Sequence, residues 1–276
     1  MYKTGNLYTF IDNHKNFTLN FLNSGEVLDL LYNLHHMPAE GQRYFEDAVL
    51  TSLQLINFLK PMEMLGLYID SRDPKFMLKV EMNESGSMRT LLLPEDFNQF
   101  PEKLSGECRL TKMMGKNAVP YTSIISLESI SFKEVINKIL KESYQVEAEI
   151  HVSKHKPYSM MIHHLPRTNS EASTDEKESR QIKSVQDFIE KIENFDQEKF
   201  IKEVEQLGFI YLRKREVLFK CNCSRERMIT GLIHLSKGSS LDEIFEGKKD
   251  IETRCDYCKT SYLITLEEVK KNILIN

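Results

Sequence analysis

Four of the five cysteines fall inside one 38-residue window: Cys221-Asn-Cys223, a 31-residue gap (224–254), then Cys255-Asp-Tyr-Cys258. Two close thiolate pairs are what one tetrahedral zinc ion takes up. The same four sulfurs can instead close two short disulfides, so a metal site and a redox-active set are available in the same atoms. Four sulfur ligands would leave no open coordination position, which argues against zinc-water catalysis. Lys220, Arg225, Arg227, Arg254 and Lys259 flank the four positions, and cationic neighbours favour the thiolate that binds metal. Glu226 and Asp256 work against them.

Other chemistry is thin. The chain contains no Walker motif, no Gly-x-Ser-x-Gly and no His-Glu-x-x-His. The pairs His35-His36 and His163-His164 have no cysteine or carboxylate at ligand spacing and read as surface or strand histidines. Cys108, the cysteine left over, reads as a small core hydrophobe. An enzyme is not expected. With 276 residues, 41% hydrophobic and 28% charged, a packed core is within reach, and the net charge of −4 lacks the basic footprint of a nucleic-acid binder. The N-terminal residues lack a basic and apolar secretion signal, and no apolar run approaches the ~18 residues of a membrane helix. The expectation is a soluble cytoplasmic protein with no membrane or nucleic-acid partner. In the cytosol thiols stay reduced, so spaced cysteines point to metal binding or redox sensing rather than to a structural disulfide framework.

Three regions must position the cysteines. Residues 1–167 read as an α/β body. Phe17, Leu19 and Phe21 alternate in a half-buried strand, and Ser24 can cap a helix carrying Val27, Leu28, Leu30, Leu31 and Leu34. Pro38 suits the first turn of a second helix that buries Phe45, Val49, Leu53, Ile56 and Leu59. Short runs at 64–70, 76–82, 88–93 and 107–113 read as strands separated by turn chemistry. Ser131 opens a further helix with Val135, Ile136, Ile139 and Leu140 on one face, and runs at 148–152 and 159–165 close the body. The fold class is α+β: a mixed or antiparallel sheet with helices packed on it, a charged and partly helical linker, and a small zinc-binding domain.

Residues 168–219 read as the linker. From Thr168 to Arg180 there is no apolar side chain larger than alanine, too little to offset ordering entropy. Two short amphipathic helices follow. One carries Val185, Phe188, Ile189, Ile192 and Phe195; the other starts near Asp196, carries Phe200, Ile201, Val204 and Leu207, and stops at Gly208. Each is too short to stand alone in water and needs a surface to lie on. Residues 220–276 form a third unit with few large apolar residues, marginal without a staple.

The runs Phe219-Lys-Cys-Asn-Cys-Ser-Arg-Glu-Arg227 and Arg254-Cys-Asp-Tyr-Cys258, with Tyr262 shortly after, closely resemble the bacterial redox-regulated holdase chaperones called heat-shock protein 33. A looser likeness covers nearly the whole chain, including the Phe45–Leu59 helix and the Pro120–Leu127 segment. Glycine-rich turns usual in that family are replaced here by Ser71-Arg-Asp-Pro74 and His155-Lys-Pro157, and one glycine of another turn is lost beside Gly106. The resemblance implies an ATP-independent chaperone that is inactive when reduced with one zinc per chain on Cys221, Cys223, Cys255 and Cys258. Oxidation would then pair Cys221 with Cys223 and Cys255 with Cys258, release zinc, unfold the tail and make apolar surface available to unfolding client proteins. Active family members also form homodimers. Phe188, Phe195 and Phe200 are the linker residues suited to client contact.

Rival readings rest on fewer residues. Arg213-Lys-Arg215 with Lys220, Arg225 and Arg227 could serve a zinc-ribbon-like nucleic-acid module, against the acidic total. Cys255-Asp-Tyr-Cys258 could serve a thiol–disulfide oxidoreductase, but no βαβ context surrounds it. A third reading keeps the chaperone and makes the zinc purely structural.

Overall fold

The computed structural model describes residues 4–14, 16–115, 119–166, 191–192 and 199–275. The chain divides into two compact units, Met1–Phe219 and Lys220–Asn276.

The first unit is built on a ten-stranded sheet. Its strands are β1 (Thr4–Asp12), β2 (Phe17–Asn23), β3 (Glu63–Arg72), β4 (Lys75–Asn83), β5 (Ser87–Leu93), β6 (Leu104–Met114), β7 (Tyr121–Ile130), β8 (Ala148–Val152), β9 (Tyr158–His164) and β10 (Phe209–Phe219). They lie in the order β7-β6-β3-β4-β5-β10-β1-β2-β9-β8. All neighbours are antiparallel except β10 and β5, which meet in parallel through Leu218 opposite Ser87 and Phe219 opposite Met88.

Helices α1 (Gly25–Leu34), α2 (Ala39–Leu53) and α3 (Phe132–Glu142), with a 3₁₀ turn at Gln54–Phe58, supply the main apolar core together with the sheet. Of the helix stripes read from the sequence, Val27, Leu28 and Leu31 on α1, Phe45, Val49 and Leu53 on α2, and Val135, Ile136, Ile139 and Leu140 on α3 are buried; Leu30 and Leu34 are half-buried, and Ile56 and Leu59 are buried beyond the end of α2, in the 3₁₀ turn and just after it. Ser131 caps α3 in a full capping box with Glu134. Ser24 behaves differently. It makes no side-chain cap bond, and its hydroxyl instead donates to Pro157 O at 3.1 Å, tying the start of α1 to the turn before β9. Pro38 sits one position before α2 rather than inside its first turn.

The strands expected at 64–70, 76–82, 88–93, 107–113, 148–152 and 159–165 are present with longer or shifted ends. The sequence reading placed 209–219 within the linker, and this is corrected: that segment is β10, hydrogen-bonded along β1 from Thr4 opposite Leu218 to Asp12 opposite Phe209. Arg213 and Lys214 in its middle are exposed, which hid the strand pattern, while Phe209 and Val217 are buried. Gly86 makes room for it. A Cβ there would lie 1.9 Å from Glu216 O, and its φ of +91° suits glycine.

On β1, β2 and β9, Tyr8, Phe10, Leu19, Phe21, Tyr158, Met160 and Ile162 form a second apolar cluster with Ile192, Phe200, Val204 and Phe209. Phe200 and Val204 belong to a short helix, α4 (Phe200–Glu205). The expected linker helices before residue 191, and residues 193–198, lie outside the described residues. Gly208 follows α4 with φ +92°, as a helix-ending glycine does.

The second unit holds α5 (Arg225–Leu235), α6 (Leu241–Phe245), the hairpin β11 (Asp250–Arg254) and β12 (Ser261–Thr265), and α7 (Leu266–Ile275). Its buried apolar set is Ile229, Leu232, Phe245, Ile264 and Val269, a thin core for an isolated unit.

Candidate metal centre

Two backbone turns present the sulfurs. The first ends at Ser224, whose side chain accepts from Arg227 N at 3.3 Å and caps α5, placing the Cys221–Cys223 loop at that helix's N-terminus. Arg227 Nη1 donates back to Asn222 O at 2.9 Å and braces the same loop. The second leaves β11. Cys255 N donates to Thr260 O at 2.9 Å and Lys259 N to Cys255 O at 2.8 Å, so the chain folds over on itself around Cys258 before β12 begins.

The two turns bring all four sulfurs within 4.8 Å of one another. Cys221 Sγ lies 3.7 Å from Cys255 Sγ, and Cys223 Sγ lies 3.2 Å from Cys258 Sγ. A tetrahedral ion with Zn–S bonds of about 2.3 Å separates its sulfurs by roughly 3.8 Å, so this donor set fits zinc in kind, number and spacing. Among the described residues it is the one group of three or more His, Cys, Asp or Glu side chains close enough to hold an ion. Neither histidine pair enters such a group; His35 is buried and bonded to Thr90 Oγ1 at 2.7 Å.

The electrostatics of the sulfurs are uneven. Burial, then hydrogen bonds shared with Cys223, Cys255 and Cys258, push the Cys221 thiol up to about 12, although the Cys223 backbone opposes them. Burial likewise leads the rise at Cys223. At Cys258 burial is outweighed by hydrogen bonds from the Thr260 side chain and backbone and from the Cys223 and Cys221 thiols, and the group falls to about 7. Proton sharing of this kind is what crowded sulfurs do when they cannot all ionise together. A divalent cation at their centre removes the conflict.

The sequence reading assigned that role in part to flanking cations, and the geometry reassigns two of them. Arg225 is engaged by Glu268 in a two-pronged pair, Nε to Oε1 at 2.9 Å and Nη2 to Oε2 at 2.8 Å. Glu268 Oε2 also accepts from Thr265 N at 2.9 Å and Thr265 Oγ1 at 3.0 Å, so this pair clamps α5 to the start of α7. Arg227 braces backbone. Neutral hydroxyls also approach the sulfurs: Tyr262 Oη lies 3.1 Å from Cys223 Sγ, and Thr260 Oγ1 3.2 Å from Cys258 Sγ. The Arg225–Glu268 clamp had no local signal, because its partners are 43 residues apart.

The remaining candidates sit in the first unit. Cys108 is fully buried on β6, opposite Ile69 and Ile125, with its thiol pushed up to about 12 by burial. Phe200 is 1% exposed, its ring centroid 4.8 Å from Phe21, 4.9 Å from Tyr8 and 6.0 Å from Phe10. Phe188 and Phe195 lie outside the described residues. No helix among the described residues is long and apolar enough to cross a membrane.

A family model described as Hsp33 protein matches residues 5–265. The chain belongs to the Hsp33 family. It is 24% identical over 245 residues to the 33 kDa chaperonin of Thermosipho melanesiensis, covering 81% of this chain and 83% of that relative. Matches to the 33 kDa chaperonins of Lachnoclostridium phytofermentans (31% over 96 residues, 34% of this chain) and Prochlorococcus marinus (41% over 61 residues, 22% of this chain) are shorter. There the chain spans 32% and 20% of the relatives' length. The fold is similar to the crystal structure of the 33 kDa chaperonin, a heat shock protein 33 homolog, from Thermotoga maritima. The TM-score is 0.76 at 16% identity, over 100% of this chain and 99% of that one. Hsp33 membership agrees with the resemblance carried by the cysteine motif, and the α+β architecture with the strand and helix patterns of the sequence.

Proposed function

We propose that this Hsp33-family protein is an ATP-independent holdase whose activity is controlled by the oxidation state of Cys221, Cys223, Cys255 and Cys258. The observation that carries the reading is four sulfurs gathered in a unit whose core cluster holds five buried apolar residues among those described. These four cysteines would hold one zinc ion per chain in the reduced state. When bound, zinc supplies a closed crosslink with no vacant position, a contribution on the order of 10 kcal/mol to folding in peptide systems.

Oxidation by a peroxide removes the donors. Two thiols give up two electrons and two protons, one S–S bond forms, and the peroxide is reduced to two waters. The pairs are Cys221–Cys223 and Cys255–Cys258. Loops this short constrain the unfolded chain little, so the disulfides do not replace the crosslink they consume. Strained short-loop disulfides are also readily reduced, which makes the change reversible. The thin-cored unit then unfolds from Lys220 onward.

Client capture uses apolar surface that order conceals. Phe200 supports this in the first unit: lifting α4 would free its ring and uncover Tyr8, Phe10 and Phe21. Phe188 and Phe195 are proposed to serve alongside it. Clients are unfolding or oxidatively damaged proteins, the active form is a homodimer, and the compartment is the cytoplasm. The test is light scattering from a thermally unfolding client. Reduced protein is expected to leave aggregation unchanged, and protein treated with peroxide and mild heat to suppress it. Equal suppression by both forms overturns the switch and leaves a constitutive chaperone with structural zinc.

A further inference from the structure

A hollow of about 350 Å³ opens on the first unit. Its floor is a row across four strands: Arg213 opposite Thr9, Thr9 opposite Asn20, and Asn20 opposite Met161, with Thr18 opposite His163 in the next row. Asn57 and Phe58 of the 3₁₀ turn form a wall, and Leu212 completes the lining. The size is at the small end of ordinary ligand pockets.

Two buried acceptors here have no partner, Asn20 Oδ1 and Asn57 Oδ1. The orientation of Asn57 is dictated by its neighbours. Ser159 O can only accept, so Gln54 Nε2 donates to it at 3.2 Å, and Gln54 Oε1 is left as an acceptor. Asn57 Nδ2 donates to that oxygen at 3.3 Å and to Gln54 O at 3.1 Å. The amide is thereby locked with its own buried oxygen unsatisfied, in a residue that lines the hollow. Asn20 is 2% exposed and brings a second unpartnered oxygen from the floor. Buried acceptors are rarely left unmet in a folded protein. Arg213 forms no ion pair among the described residues. His163, held below the usual histidine range first by burial and then by His164, leaves Arg213 as the cation of the lining. Phe58 and Leu212 add apolar surface.

We infer that the hollow binds a small carboxylate that also carries N–H donors and an apolar side chain: a free amino acid or the C-terminal residue of a peptide. The carboxylate pairs with Arg213, the N–H groups donate to Asn20 and Asn57, and the side chain lies on Phe58 and Leu212. A guanidinium and two amide oxygens, that of Asn57 held in place by Gln54, read the opposite ends of such a molecule, and neither alone would specify it.

The test is a titration of the full chain, followed by backbone amide NMR, with L-leucine, glycyl-L-leucine and glycyl-L-leucinamide. Glycyl-L-leucine or leucine is expected to shift Thr9, Asn20, Asn57 and Arg213 saturably at millimolar concentration. The amide is expected to bind roughly tenfold or more weakly, as is the carboxylate to Arg213→Met, an exposed change that leaves the spectrum elsewhere intact. Tighter binding of leucine assigns the site to a free amino acid, and tighter binding of the dipeptide to a chain terminus. Absence of saturable shifts at these residues, or equal affinity for amide and carboxylate, or an unaffected Arg213→Met, overturns the proposal.

Discussion

Tyr262 sets its hydroxyl 3.1 Å from Cys223 Sγ, from the middle of a β-strand to the loop before a helix. The contact pushes the phenol up to about 12, chiefly through its bond to Cys223. The hydroxyl stays protonated, and to a Cys223 thiolate, which can only accept, it is the donor. Removing it with Tyr262→Phe keeps the ring in its partly buried place against the small core and deletes the donor. Outer partners of metal ligands are worth about 10–100-fold in affinity. Competition with a chromogenic chelator is expected to give zinc affinity lower by about tenfold or more, with far-UV circular dichroism unchanged. Unaltered affinity would mean that the hydroxyl is incidental.

The Arg225–Glu268 clamp carries a pH dependence. Glu268 is drawn down to about 2, first by the Arg225 hydrogen bond and then by the Thr265 backbone. A carboxyl depressed in the folded state stabilises it above the ordinary glutamate range and loses that contribution as pH falls from about 4.5 toward about 2. Glu268→Gln should therefore unfold at lower temperature than the parent near neutral pH, and the gap should close over that acid window. Melting curves at matched zinc activity read this directly. A gap independent of pH would contradict the clamp.

Phe200→Ala tests the aromatic seat of α4. Truncating a buried phenylalanine costs about 3–5 kcal/mol where the site is well packed. Phe200 and Val204 are the buried residues of this six-residue helix, which is too short to stand alone in water. Hydrogen exchange is expected to rise at 200–205 while the strands beneath stay protected. On the proposed mechanism the variant also gains partial holdase activity without oxidant. Unchanged protection at 200–205 would show that the ring does not hold the helix.

The five thiols should separate into four and one. Cys108 is fully buried with its thiol pushed up to about 12, so alkylation of the native protein after zinc chelation should label the four clustered cysteines and spare it until denaturant is added. Peptide mapping after mild oxidation is expected to find Cys221–Cys223 and Cys255–Cys258. Cys223 Sγ also lies 3.2 Å from Cys258 Sγ in the other motif, so a Cys223–Cys258 product would show that neighbourhood in sequence does not direct the pairing.

The sequence disclosed what is local. Ligand spacing marked the metal centre, and period-3.6 stripes marked α1 to α3, because neighbours in the chain carry those signals themselves. The Ser131–Glu134 box is four residues long and was readable as a helix start. What stayed hidden is long-range. β10 carries Arg213 and Lys214 where a buried strand would carry apolar residues, and its place between β5 and β1 follows from pairing with a segment some two hundred residues earlier. Glu268 gave no hint that it would take Arg225 from the cluster's flank. The polar row of Thr9, Asn20 and Arg213 exists only once three strands are side by side.

The account stands or falls on the metal. Elemental analysis of freshly purified, thiol-protected protein, repeated after peroxide with mild heat, tests it most directly. The account predicts one zinc per chain before treatment and almost none after, lost together with the four reactive thiols. Protein that is folded and reduced without stoichiometric zinc, or that keeps its zinc after those thiols are oxidised, would contradict it.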